Sequence, residues 1–134
     1  MKHPKHIPTI TFKAIPHKDH RYETVGDYYK CQEDGMQFRV SKMNEDYEFL
    51  VLLHEFIEWF LVNKSGIKVK DIDNFDINFE KEREKGLHSE DEEPGDHKDA
   101  PYRKQHKFAT RIERLVANEL GVDWDEYDDC INNL

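Results

Sequence analysis

Apolar and polar positions alternate in the first forty residues, which is the pattern of β-strands. Residues 7 to 15 and 36 to 42 alternate in this way, and residues 22 to 30 carry paired tyrosines. These segments predict three strands. Between the second and the third, Asp34 and Gly35 form the pair that tight hairpin turns favour, so we expect these two strands to be antiparallel.

A helix is predicted from residue 44 to residue 64. Asn44 is a candidate N-cap, acidic residues occupy the first turn, and Lys64 and Gly66 mark the end. Apolar residues cover nearly all sides, which predicts a central, buried helix. They are Phe49, Leu50, Leu52, Leu53, Phe56, Ile57, Trp59 and Phe60. The segment is too short and contains too many ionisable side chains to cross a membrane.

The next part of the chain has weaker signals. Residues 67 to 85 begin with alternation and end in a charged stretch, which favours a short helix around residues 75 to 85. Residues 86 to 100 are acidic and contain proline and glycine, so they predict a long loop. Loops of this length are uncommon in small domains unless they are mobile or functional.

The C-terminal part predicts two helices. Residues 101 to 120 carry one apolar stripe, with proline in the first turn and Gly121 at the end. Asp123 and Glu126 have capping-box spacing before a last short helix. The whole chain, residues 1 to 134, is therefore predicted to be a single α+β domain. A small antiparallel sheet would pack on a central buried helix, with two C-terminal helices beside it.

Composition and charge exclude several functions. The net charge of −9 argues against nucleic acid as a partner, because such binding depends on Lys and Arg. Twelve acidic and four basic residues lie between Asp71 and Asp99. The N-terminus lacks the apolar region of a signal peptide and no segment is suited to a membrane, which favours a cytoplasmic location. Cys31 and Cys130 lack disulfide or metal-ligand patterns, so we expect them to be reduced bystanders.

The candidate chemistry lies in the most apolar helix. Side chains four residues apart lie about 40° apart around a helix axis, so His54 and Glu58 project from one side, with Glu55 about 100° from His54. Burying carboxylates in apolar surroundings costs several kcal/mol unless they are paired, protonated or bound to a metal. The three side chains could therefore line one pocket, in which pairing or a bound metal would offset the cost of burying them.

This spacing is that of the HExxH helix, whose first and last residues bind zinc and whose glutamate is a general base. Here Glu58 occupies the last position, and two His with one Glu is an established catalytic zinc set. His106 on the later helix is placed to be the missing histidine. Glu113 would be a fourth ligand or the carboxylate that orients His106. Asp96 and His97 are the alternatives from the loop.

At this point the chain resembles the zincins, the HExxH metallopeptidase superfamily, and especially their smallest members. In these a short, mainly antiparallel sheet precedes the motif helix and a later helix supplies the remaining ligand. The resemblance implies His54, Glu58 and His106 as ligands of a divalent metal, most often zinc, with Glu55 as general base. It also implies metal-dependent hydrolysis of a peptide or protein substrate. Position 58 departs from the pattern, which has histidine there.

Other interpretations of these residues remain open. His54, Glu55 and Glu58 could form a structural network with partners such as Arg39, Arg111 or Tyr47. The chain would then be a non-catalytic interaction module whose acidic segment, residues 71 to 99, binds a basic partner. The N-terminal histidine pairs, His3 with His6 and His17 with His20, predict at most weak, adventitious metal binding, since the prolines beside them disfavour a helix.

Overall fold

A computed structural model describes residues 6 to 134 of the chain. It contains a three-stranded sheet and four α-helices, so the α+β fold class is confirmed. The strands are β1 (Ile10–Ile15), β2 (Gly26–Cys31) and β3 (Gly35–Ser41). The helices are α1 (Glu45–Lys64), α2 (Val69–Glu84), α3 (Arg103–Leu120) and α4 (Trp124–Asn132). His3 lies outside the described residues.

The sheet is mixed rather than fully antiparallel, which corrects the prediction. Its strand order is β1-β3-β2, with β2 antiparallel to β3 and β1 parallel to β3. The hairpin prediction is confirmed, because β3 starts at Gly35, whose φ of 73° lies in the left-handed region that suits glycine. β1 and β2 are consecutive in the chain but lie on opposite edges of the sheet, and β3 lies between them.

α1 is the helix on which the rest of the domain packs. Asn44 caps it as predicted, since its side chain accepts a hydrogen bond from the Tyr47 N–H. One face of the helix meets the sheet and another meets α3, and the buried side chains include Leu50, Val51 and Trp59. The predicted burial on all sides is not observed in full, because Phe49 and Phe60 are exposed.

α2 is longer than the predicted short helix and begins six residues earlier, at Val69. It is helical because its apolar residues recur at helical spacing, with Ile72 and Phe79 buried and Phe75 partly buried. The predicted loop, residues 86 to 100, contains one short 3-10 helix (Pro94–Asp96). The rest of this segment is neither helix nor strand.

The two C-terminal helices are confirmed. Gly121 ends α3 in the left-handed conformation, and the Asp123 side chain caps α4 by accepting the Glu126 N–H. Tyr127 of α4 is buried with Leu50 and Val51 of α1. Cys31 and Cys130 are free thiols. Within residues 6 to 134, no helix is both long enough and apolar enough to cross a bilayer.

Candidate metal centre

Four predicted site residues meet where α1 packs on α3. His54 and Glu58 lie one turn apart on the buried face of α1, and His106 and Glu113 lie on the buried face of α3. Each of these four side chains belongs to a residue that is at most 7 % exposed. Polar groups buried to this degree need partners, so the contacts between the two helices decide what the cluster can do.

Three potential ligand atoms form a small, nearly equilateral triangle. His54 Nε2 lies 3.1 Å from Glu58 Oε2 and 3.1 Å from His106 Nδ1. His106 Nδ1 lies 3.0 Å from the same Glu58 oxygen. His54, Glu58 and His106 therefore form a buried group that could hold a metal ion. We call these three residues the primary site.

The outer nitrogen of each imidazole faces a carboxylate. His54 Nδ1 lies 2.7 Å from Glu113 Oε1, and His106 Nε2 lies 2.9 Å from Glu93 Oε2. Glu113 was predicted to ligate or to orient His106, but it contacts His54 instead, on the far side of the ring from the triangle. Residues 106 and 113 are two turns apart on α3, and their side chains reach the two different nitrogens of the His54 ring.

Two tyrosines hold the carboxylates of this cluster. The Tyr28 hydroxyl donates to Glu58 Oε1 at 3.1 Å, which leaves Oε2 for the triangle. The Tyr127 hydroxyl donates to Glu113 Oε2 at 2.6 Å. Tyr28 comes from β2 and Tyr127 from α4, so the sheet and the last helix both position the primary site.

Glu55 lines a cavity of 310 Å³ that also reaches the primary site. Its side chain lies against the backbone of Gly26 at the start of β2, and a Cβ at Gly26 would stand 2.7 Å from Glu55 Cγ and Oε1. A larger residue at position 26 would therefore force the Glu55 side chain to move. Glu55 is therefore separate from the triangle but faces the same cavity.

The charges of the cluster are strongly coupled. Burial lowers the pKa of His106, but hydrogen bonds to Glu58 and Glu93 outweigh it and raise the pKa to about 10. Burial also lowers the pKa of His54, and its hydrogen bonds to Glu113 and Glu58 raise it well above the ordinary value. Burial raises the pKa of Glu58, but the two histidines outweigh this and lower it to about 2. In the metal-free cluster these contacts thus favour positive charge on the imidazoles and negative charge on Glu58.

Glu55 and Asp76 differ from Glu58 in having raised pKa values. Burial and then the charge of Glu58 raise the pKa of Glu55 well above the ordinary value. Burial raises the pKa of Asp76 to about 7, although a hydrogen bond from the Tyr102 hydroxyl, at 2.6 Å, acts in the other direction. Both carboxyl groups line the cavity, and Asp76, with its pKa of about 7, is able to hold a proton near neutral pH.

The loop alternatives lie in different places. Asp96 Oδ1 is 3.5 Å from the outer nitrogen of His106, so it joins Glu93 there and not the triangle. Gly95 lies against the same ring, where a Cβ would stand 2.4 Å from His106 Cγ. His97 packs instead with Phe75 and Phe79. The loop thus covers His106 without supplying an atom to the triangle.

The partners suggested for a structural network lie elsewhere. Arg39 donates to Gln37, Arg111 lies over the Phe108 ring, and Tyr47 packs on Tyr127. His17 and His20 both contact the Ser41 hydroxyl. Sequence reasoning missed Glu93, Tyr28 and Tyr127 as partners of the cluster. The sequence signal for these partners was limited to the adjacent tyrosines at positions 28 and 29, and it did not indicate which of the two is buried.

Comparisons of the chain with protein-family models, with curated proteins and with solved structures found no match. The interpretation of the cluster therefore depends on its own geometry and chemistry.

Proposed function

We propose that the chain is a zincin-like metal-binding protein in which His54, Glu58 and His106 hold one divalent ion. The observation that carries this proposal is the buried triangle of His54 Nε2, Glu58 Oε2 and His106 Nδ1, with sides of 3.0 and 3.1 Å. Two imidazoles and a carboxylate are a known donor set for catalytic zinc, with a fourth position left for water or substrate.

The size of the triangle fits an ion. Zinc binds nitrogen and oxygen ligands at about 2.0 to 2.2 Å, so two ligands of a tetrahedral zinc lie about 3.3 to 3.5 Å apart. The observed separations are a few tenths of an ångström shorter, and small side-chain rotations would adjust them. The same donor set also occurs in non-haem iron(II) centres, so metal analysis identifies the ion as well as detecting it.

The hydrogen bonds around the triangle support the same proposal. Metal-binding histidines commonly donate their other ring N–H to a carboxylate, which fixes the tautomer and the ring orientation. His54 has Glu113 in that position and His106 has Glu93. Each imidazole can therefore keep its outer proton and turn an unprotonated nitrogen towards the ion.

The cavity supports hydrolysis of a peptide bond as the reaction. A divalent ion at this position would supply Lewis acidity to a carbonyl and make water more acidic. Glu55 faces the cavity without belonging to the triangle, so it can take a proton from water at its carboxylate and pass it to the leaving amine. The raised pKa of Glu55 suits a group that must hold that proton between the two steps.

Metal analysis of the purified protein tests the proposal. We expect wild type, purified without chelators, to retain a divalent metal by mass spectrometry, and His54→Ala to lose the ion of the primary site because one ligand is gone. His6→Ala, which changes an exposed histidine, is the matched control and should retain it. Equal metal in all three proteins, or none in wild type, would reject the ligand assignment. The second outcome would favour the non-catalytic interaction module.

Metal binding is also expected to release protons. In the metal-free protein the pKa of His106 is about 10, so this ring is protonated at pH 7, and hydrogen bonds to Glu113 and Glu58 raise the pKa of His54 as well. Binding must displace the inner proton of His106, which predicts release of at least one proton per ion. Apparent affinity should therefore rise with pH up to about 10 and fall in acid.

Calorimetric titration in buffers with different ionisation enthalpies measures this release. The apparent binding enthalpy should change in proportion to the ionisation enthalpy of the buffer. A binding enthalpy that does not depend on the buffer at pH 7 would contradict the assignment of His106 as a ligand.

A further inference from the structure

The acidic loop and the end of α2 contain a second group of metal-ligand residues. His88, Glu92 and His97 each offer a ligand atom, and these atoms lie within 4.8 Å of one another. Glu82, in the last turn of α2, adjoins them. We infer that His88, Glu92 and His97, here called the loop site, form a second binding site for a divalent transition metal such as zinc. This inference does not depend on metal binding at the primary site.

His88 has the same arrangement as the two histidines of the primary site. Its Nε2 lies 2.8 Å from Glu82 Oε2, and its Nδ1 faces Glu92 Oε2 at 3.4 Å. A carboxylate on one ring nitrogen fixes the tautomer and leaves the other nitrogen as a ligand. Glu82 thus orients His88 for an ion bound at Nδ1, beside the Glu92 carboxylate.

Aromatic packing holds both imidazoles of the loop site in place. The His88 ring stacks on Phe79 with centroids 3.8 Å apart and an interplanar angle of 8°. The His97 ring lies 5.9 Å from both Phe75 and Phe79, and 5.6 Å from His88. The His88 side chain is only 9 % exposed. Both rings are thus ordered before an ion binds, which lowers the entropic cost of ligation.

The charge around the loop site also favours a cation. The segment from Glu90 to Glu93 is four consecutive carboxylates. Arg83 lies beside it, but its guanidinium donates to the backbone carbonyls of Glu90 and Glu92 and pairs with the Glu80 carboxylate on its own helix. The Glu92 side chain therefore keeps a free charge for a metal ion, whose ligand set would be two imidazoles and carboxylate.

The position of the loop site links it to the primary site. The four residues between Glu92 and His97 include Glu93 and Asp96, which contact the outer nitrogen of His106, and Gly95, which lies against its ring. An ion held by Glu92 and His97 would fix both ends of this turn. The loop site would thereby hold the loop closed over His106.

Zinc titration of the metal-stripped, full-length protein tests the inference. We expect wild type to bind about two equivalents by calorimetry and by equilibrium dialysis with mass-spectrometric detection. The double variant His88→Ala/His97→Ala should bind one fewer, and so should His54→Ala, which removes a ligand of the primary site. The matched control, His3→Ala/His6→Ala, removes two N-terminal histidines and should bind as wild type does.

A second variant guards against a folding defect in the loop. His97→Asn keeps an acceptor for the Asp99 N–H, which His97 Nδ1 accepts at 3.1 Å, but removes the imidazole. It should also lose one equivalent, with an unchanged circular dichroism spectrum. If wild type binds one equivalent that only His54→Ala removes, the loop site is rejected. If the one equivalent is removed only by the loop variants, the loop site stands and the primary site fails.

Discussion

Replacing Glu58 with glutamine is expected to lower the metal affinity of the primary site by at least about 100-fold. Losing a carboxylate that only orients a ligand already costs about 10- to 100-fold in metal affinity, and Glu58 supplies a ligand atom itself. Its Oε2 stands 3.0 to 3.1 Å from the inner nitrogen of each imidazole and completes the triangle. Glutamine keeps the size of the side chain but loses its negative charge.

Competition with a chromophoric chelator measures this change in affinity. Glu119→Gln is the matched control, because it makes the same carboxylate-to-amide change at an exposed position of α3. Thermal denaturation of both variants checks that the fold is kept, since Glu58 also accepts the Tyr28 hydroxyl. Wild-type affinity in Glu58→Gln would show that Glu58 is not a ligand.

Glu55→Gln is expected to abolish most hydrolysis while leaving metal binding intact. Glu55 lies in the cavity and outside the triangle, so the substitution should not disturb the ligands. The glutamine amide, unlike the carboxylate, cannot act as a base. Loss of a general base typically reduces the rate about 10²- to 10⁴-fold. Incubation of a mixed peptide library with wild type and variant, followed by mass spectrometry, measures cleavage.

The Glu55→Gln experiment needs two further variants, one that lacks the ion of the primary site and one with an unrelated change. His54→Ala should lose both the ion of the primary site and cleavage, whereas Glu119→Gln should keep both. Cleavage by Glu55→Gln at the wild-type rate would exclude Glu55 as the base. If Glu55→Gln loses metal as well, its effect would be on the site and not on proton transfer.

The helices could be predicted because each has a local signature. The caps at Asn44 and Asp123 and the glycine after α3 are short-range signals, and the structure confirms all three. The strand order could not be predicted, since nothing in residues 16 to 25 says that β1 will pair with β3. Parallel pairing depends on a long-range contact, which local alternation does not encode.

α2 was only partly predicted because its first residues alternate. The sequence IKVKDI fits a strand by pattern, but Ile72, Phe75 and Phe79 fit a helix and bury its apolar face in the domain. Tertiary packing decided between these two patterns. The loop predicted after α2, residues 86 to 100, contains only the short 3-10 helix (Pro94–Asp96). The contact of this loop with His106 was not predicted.

The candidate site was predictable where one helix determines it. The four-residue spacing of His54 and Glu58 places both on one face, and the apolar stripe of α3 indicated that His106 faces inwards. The carboxylates that orient the rings were not predictable, because they depend on how α3 is placed against α1 and on the path of the loop. For that reason Glu113 was expected beside His106 but lies beside His54.

The central claim is that His54, Glu58 and His106 bind one ion together. Anomalous diffraction at the zinc edge, on crystals of wild type grown with excess zinc, tests it most directly. We expect an anomalous peak about 2.0 to 2.2 Å from His54 Nε2, His106 Nδ1 and a Glu58 oxygen. Crystals that contain zinc elsewhere but show no peak within bonding distance of these three atoms would contradict the claim.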